Sequence, residues 1–94
     1  MSNPTKIVIY ASETCPYCTA ARMLLKKEGL AYDDILITKD ASFREEMERR
    51  SGRHTVPQIF FAETHIGGFD ELYALQQSGE LERVLNDAQA ATHA

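Results

Sequence analysis

The sequence contains no apolar run approaching the roughly 20 residues that span a bilayer. Its N-terminal stretch, MSNPTKIVIYAS, holds only five apolar residues in a row, Ile7 to Ala11. A signal-peptide core needs at least about 7, so the expected compartment is the cytoplasm, where reducing conditions do not preserve a structural disulfide. Positive charge is also scarce: ten basic against fourteen acidic residues give a net charge of −4, which disfavours general nucleic-acid binding. Repeats, linkers and low-complexity blocks are missing. With 94 residues the chain has room for one core, so residues 1–94 are expected to form one domain.

What is present reads as alternating strands and helices. Lys6 to Ala11 (KIVIYA) is a β-branched and aromatic run suited to a buried strand. From Pro16 to Glu28 the period becomes helical: Cys18, Ala21 and Leu25 share a stripe, Lys26 and Lys27 suit the negative end of the helix dipole, and Gly29 is the stop. Tyr32 to Ile37 forms a second strand. A second helix follows, with Asp40 as N-cap, Gly52 as stop, Phe43 and Met47 as a thin apolar face, and Glu45/Arg49 and Glu46/Arg50 as i,i+4 pairs. Pro57 to Ala62 is the third strand, Glu63-Thr64 a turn, and His65-Ile66 a short fourth strand ending at Gly67-Gly68. Leu72 and Leu75 lie on a third helix. Beyond Ser78-Gly79, Leu81, Val84, Leu85 and Ala88 recur at helical spacing, and residues from about 88 to 94 are expected to fray. The order β-α-β-α-β-β-α, with a further helical piece, is an α/β fold. It predicts a four-stranded mixed sheet flanked by helices on both faces, with a parallel first pair and a right-handed crossover.

The two cysteines, Cys15 and Cys18, are the only ones in the chain and lie three positions apart. Cys15 stands where the first helix opens, and Pro16 occupies the first helical position, where a missing N–H costs nothing. The positive helix end and its unpaired N–H groups favour a thiolate at Cys15. Cys18 lies one turn further in, on the apolar stripe, and is less exposed. Cys15 is therefore the expected attacking thiol and Cys18 the resolving one. Zinc would need two further ligands; there is no second CxxC, and His54, His65 and His93 are not at finger spacing. His54 and His65 read as surface or strand residues. A CxxC beside a βαβ pattern is a redox arrangement.

With CPYC placed, TVPQIF (Thr55 to Phe60) and IGGFDEL (Ile66 to Leu72) become legible. Together these stretches resemble the glutaredoxins, small thioredoxin-fold enzymes that use glutathione, over about Lys6 to Leu85. The likeness is to the dithiol, bacterial-type branch; thioredoxin fits less well because it typically carries a tryptophan before the first cysteine, and this chain has none. The resemblance implies a cis Val56–Pro57 peptide facing Cys15, with the Val56 backbone paired to an extended substrate. It places the γ-glutamyl carboxylate of glutathione on the N–H groups of Phe69 and Asp70, beside Gly67 and Gly68, where the backbone can approach a ligand closely. The Asp70 side chain would take the ammonium group, and Tyr17 and Thr55 would line the groove. For the glycyl carboxylate the resemblance points to Arg44 and to a lysine shortly before the first cysteine, whose absence here Arg53 or Lys26 would compensate. The family's lysine before the first cysteine is replaced by Ser12, and the cysteine or other small residue common at position 69 by Phe69.

The resemblance further implies reduction of glutathione mixed disulfides and protein disulfides at a potential of about −200 to −230 mV. Glutathione is the co-substrate, and no bound cofactor or metal is implied. Partners are glutathione and glutathionylated or disulfide-containing proteins, ribonucleotide reductase standing among the candidates; nucleic acid and membrane are not expected, and the chain is expected to be monomeric. The rival reading is a carrier of a [2Fe–2S] cluster held by two chains. Pro16 and the second cysteine argue against it, because such carriers typically have a glycine-containing motif and one cysteine.

Overall fold

The computed structural model describes residues 5–93. The elements are β1 (Ile7–Ala11), α1 (Pro16–Lys27), β2 (Asp33–Leu36), α2 (Ala41–Ser51), β3 (Gln58–Phe61), β4 (Thr64–Gly67), α3 (Phe69–Ser78) and α4 (Leu81–His93). The sheet order is β2-β1-β3-β4. β1 and β2 are parallel, while β1/β3 and β3/β4 are antiparallel. This is the mixed four-stranded sheet that the order of elements predicts.

All five residues of β1 are buried, because each face of the central sheet is covered. Ile7, Ile9 and Ala11 pack with Cys18, Ala21, Leu25, Leu72 and Leu85 from α1, α3 and α4. Val8 and Tyr10 point the other way, onto Met47 of α2, with Ile37 and Phe60. A strand sandwiched in this way reads as an unbroken apolar run rather than an alternating one. α2 contributes one fully buried side chain, Met47, so its opposite face stays in water as the sequence predicts.

Both expected helix stops are present, with Gly29 and Gly52 each at φ 72°. The Asp40 carboxylate accepts the Ser42 N–H at 2.9 Å and caps α2, which holds its own pKa below the usual carboxylate range.

Other expectations change in detail. β3 begins at Gln58, since Pro57 has no N–H to give a ladder. The hairpin turns at Ala62-Glu63, with Ala62 at φ 53°, and Thr64 already pairs with Phe61 in β4. The i,i+4 ion pair that forms on α2 is Arg44–Glu48, at 3.5 Å. Glu46 and Arg50 instead converge on the Tyr10 hydroxyl, which donates to Glu46 and accepts from Arg50. A buried phenol is the better use for them than a solvated pair. α4 runs to His93, with Ala88 buried; Ala94 lies outside the described residues. Among the described residues, no helix is long and apolar enough to cross a membrane.

Candidate active site

β1 delivers the chain to a short loop, Ser12 to Thr14, and Cys15 then caps α1 from an extended conformation (φ −86°, ψ 118°). Its Sγ accepts the Cys18 backbone N–H at 3.4 Å. This is one of the four amides that an α-helix leaves without an internal partner. On its other side the sulfur lies 3.7 Å from the Val56 carbonyl, to which its S–H donates. The peptide that follows, Val56–Pro57, is cis.

Cys18 sits one turn along α1 and is fully buried against Ala21 and Leu25. Burial pushes its thiol up to about 11; the neighbouring Cys15 sulfur acts in the same direction, and a Ser12 backbone hydrogen bond acts against it. Both cysteines are free thiols, Cys15 half-buried and Cys18 buried. The pair is therefore asymmetric: one sulfur faces the surface among polar backbone groups, and the other is sealed and protonated.

A groove of about 220 Å³ runs away from this point, lined by Tyr17, Arg53 and Thr55 to Gln58 on one side and by Gly68 to Glu71 on the other. Seven of the glutathione-contact residues expected from the resemblance meet there: Tyr17, Thr55, Val56, Pro57, Gly68, Phe69 and Asp70. Arg44 does not line it. Its guanidinium reaches the His54 carbonyl at 3.2 Å and Glu48 at 3.5 Å. The cation in the groove is Arg53, paired with Glu71 at 3.5 Å.

Three residues at the site have no counterpart in the sequence reading. Glu71 Oε1 accepts the Gly68 N–H at 2.6 Å, the reciprocal half of a capping box. That hydrogen bond, with Arg53 adding to it, holds the Glu71 pKa below the usual carboxylate value. The spacing of Gly68 and Glu71 was the available signal, since an acid three residues after an N-cap is what a capping box requires. Gln58, buried, donates to the Thr55 carbonyl at 3.0 Å and meets His65 at 2.7 Å, pinning the loop before Pro57. Arg22 pairs with Asp34 at 2.6 Å and donates to the Ser12 carbonyl at 3.4 Å, bracing the loop that carries Cys15. Nothing local in the sequence connects Arg22 to a strand twelve residues away.

Gly67 occupies φ +123°, and a Cβ built there would overlap the Glu71 side chain. Gly67→Ala is thus expected to strain the backbone and to push Glu71 off the Gly68 amide. The expected cost is about 1–3 kcal/mol, read as a lower urea midpoint at unchanged slope. An unaltered midpoint would show that neither the strained backbone at Gly67 nor the Glu71 cap costs the variant stability.

An asymmetric CxxC at a helix N-terminus, facing a cis-proline loop across the end of a β2-β1-β3-β4 sheet, defines a dithiol protein of the thioredoxin-like fold. The glutaredoxin family model matches residues 7–66. The chain is 51% identical to glutaredoxin 3 of Escherichia coli strain K12 over 84% of its own length and 95% of the relative's. The solution structure of glutaredoxin from Brucella melitensis superposes with a TM-score of 0.77 at 41% identity, covering 88% of this chain and 90% of that one. A crystal structure of a buckwheat glutaredoxin–glutathione complex gives a TM-score of 0.79 at 25% identity, over 94% and 83%. The chain belongs to the glutaredoxin family, whose members are thiol–disulfide oxidoreductases. Among the described residues, no group of three or more histidine, cysteine or acidic side chains could hold a metal ion.

Proposed function

We propose that the protein is a glutathione-dependent oxidoreductase of the cytoplasm that reduces glutathione mixed disulfides and protein disulfides, working as a monomer through one domain. The observation that carries this reading is the placement of the Cys15 sulfur. It lies between the Cys18 amide and the Val56 carbonyl, where the groove holding Arg53, Asp70 and Glu71 begins. Glutathione is a tripeptide with two carboxylates and one ammonium group. The Arg53 guanidinium and the open N–H groups of α3 suit the two carboxylates and Asp70 suits the ammonium, while Glu71 stays on the Gly68 amide.

In this reading the Cys15 thiolate attacks the glutathione sulfur of a mixed disulfide. A Cys15–glutathione bond forms, the old S–S bond breaks, and the departing thiolate takes up a proton. The Val56 backbone flanks the cysteinyl residue of the bound tripeptide. The N–H groups of Phe69 and Asp70, at the first two positions of α3, have no intrahelical partner and receive the γ-glutamyl carboxylate. Asp70 takes the ammonium, and Arg53, already in the groove, supplies the cation for the second carboxylate. A second glutathione thiolate then attacks the Cys15-bound sulfur, leaving oxidised glutathione and free Cys15. With a protein disulfide, Cys18 closes on Cys15 to expel the reduced product, and two glutathiones restore the dithiol.

The test is a coupled assay with hydroxyethyl disulfide, run once with glutathione and glutathione reductase and once with thioredoxin reductase alone. NADPH should be consumed in the first arm only. Turnover confined to the second arm would overturn glutathione dependence.

A further inference from the structure

The large apolar side chains exposed among the described residues are Tyr17, Met23 and Tyr73, at 62%, 66% and 47%. Scattered singly, such residues mean nothing, but these three share one face. Tyr17 packs on Phe69 at 6.3 Å between ring centroids, and Phe69 stacks on Tyr73 at 5.7 Å. This row of rings leads from the nucleophile into a trough of about 330 Å³ between α1 and α3, floored by Ala20 and Leu24 and walled by Met23 and Tyr73. Phe69 lines both the trough and the groove beside Val56, so the two adjoin at its ring. At the trough's far end stands Lys27, which makes none of the ion pairs formed among the described residues.

We infer that this trough docks protein substrates: it seats an apolar side chain of the segment flanking the substrate's disulfide cysteine, with an acidic residue beyond it facing Lys27. The occupant follows from continuity with the groove and from charge. Small disulfides end at the groove and do not reach Met23, whereas an extended polypeptide does. Met23 lies eight residues along α1 from Cys15, about 12 Å at 1.5 Å per residue. An extended strand covers that distance in about three to four residues at roughly 3.3 Å each. The preferred substrate therefore carries leucine, methionine or an aromatic residue three or four positions from its cysteine. The inference rests on the oxidoreductase reading above, and the small-disulfide assay reports on that reading alone.

The experiment compares wild type with Met23→Asp and Tyr73→Asp. One substrate is hydroxyethyl disulfide with glutathione; the others are two glutathionylated decapeptides, one with leucine four residues from cysteine and one with serine there. Wild type should prefer the leucine peptide about tenfold in kcat/KM, mostly through KM. Each variant should erase that preference and keep hydroxyethyl disulfide turnover within twofold. Lys27→Glu, at an exposed position of α1, should lower only the rate with a leucine peptide that carries a following glutamate. Equal use of both peptides by wild type would overturn the inference. So would a variant that lowers sedimentation coefficient without changing peptide kinetics, since the face would then be a contact between two copies of this chain. Loss of hydroxyethyl disulfide turnover in wild type would strike the oxidoreductase reading instead.

Discussion

Cys15→Ser is expected to lower turnover of every disulfide substrate by at least about a thousandfold, because only a thiolate exchanges with a disulfide and a hydroxyl at this position does not ionise near neutrality. Cys18→Ser should behave differently. The group that Cys18 gives to the Cys15 sulfur is its backbone N–H, at 3.4 Å, and serine keeps it. The new hydroxyl, inside α1, can donate to a carbonyl one turn back and so avoid a buried unpaired donor. Reduction of a small glutathione mixed disulfide is expected to stay within about threefold of wild type. Reduction of a protein disulfide should fall at least about tenfold, since nothing remains within the protein to expel the bound product. Coupled NADPH assays on both substrates separate the two roles. A Cys15→Ser variant with substantial turnover, or a Cys18→Ser variant losing both activities equally, would reverse the assignment of attacking and resolving thiol.

The frame of the fold was legible because its signals are local. A five-residue apolar run, a CxxC at a helix start, Asp40 and Gly52 bracketing a polar helix, and the break at Gly79 each depend on neighbours in sequence. The groove was legible only as far as the motifs reach. Tyr17, the Thr55 to Pro57 stretch and Gly68 to Asp70, all within the quoted motifs, line one groove. Arg44 did not join them, since a helix position tells which face a side chain takes, not which of several acids and carbonyls will hold it. Glu48 and the His54 carbonyl hold it here. The same blindness hid Arg22 behind Asp34 and Gln58 behind Thr55. Asp34 lies in another element twelve residues from Arg22, and Thr55, though only three residues from Gln58, sits in the loop before β3, where no regular period relates the two. Tyr10 shows the converse. The apolar run placed it in the core, but its hydroxyl needed partners there, and it drew Glu46 and Arg50 out of the surface pair that helical spacing suggests.

The asymmetry between the two sulfurs has a large chemical consequence for alkylation. Burial holds the Cys18 thiol up at about 11, so near pH 7 only about one molecule in ten thousand carries its thiolate. Iodoacetamide at pH 7 is therefore expected to modify Cys15 at least about a hundredfold faster than Cys18, read by peptide mass mapping after brief exposure. In Cys15→Ser, two of the causes raising the Cys18 pKa disappear, the hydrogen bond and the charge of its neighbour, while burial, the largest, remains. Alkylation of Cys18 in that variant should climb about tenfold per pH unit from pH 7 and level off only above pH 9. A plateau below pH 8 would show that Cys18 ionises easily, and the division into an exposed attacker and a sealed resolver would fall. The sign for stability runs the same way. An acid whose pKa is raised by folding keeps its proton more tightly in the native state. The fold therefore loses stability as pH climbs from the ordinary thiol value towards about 11, and is untouched by this group below it.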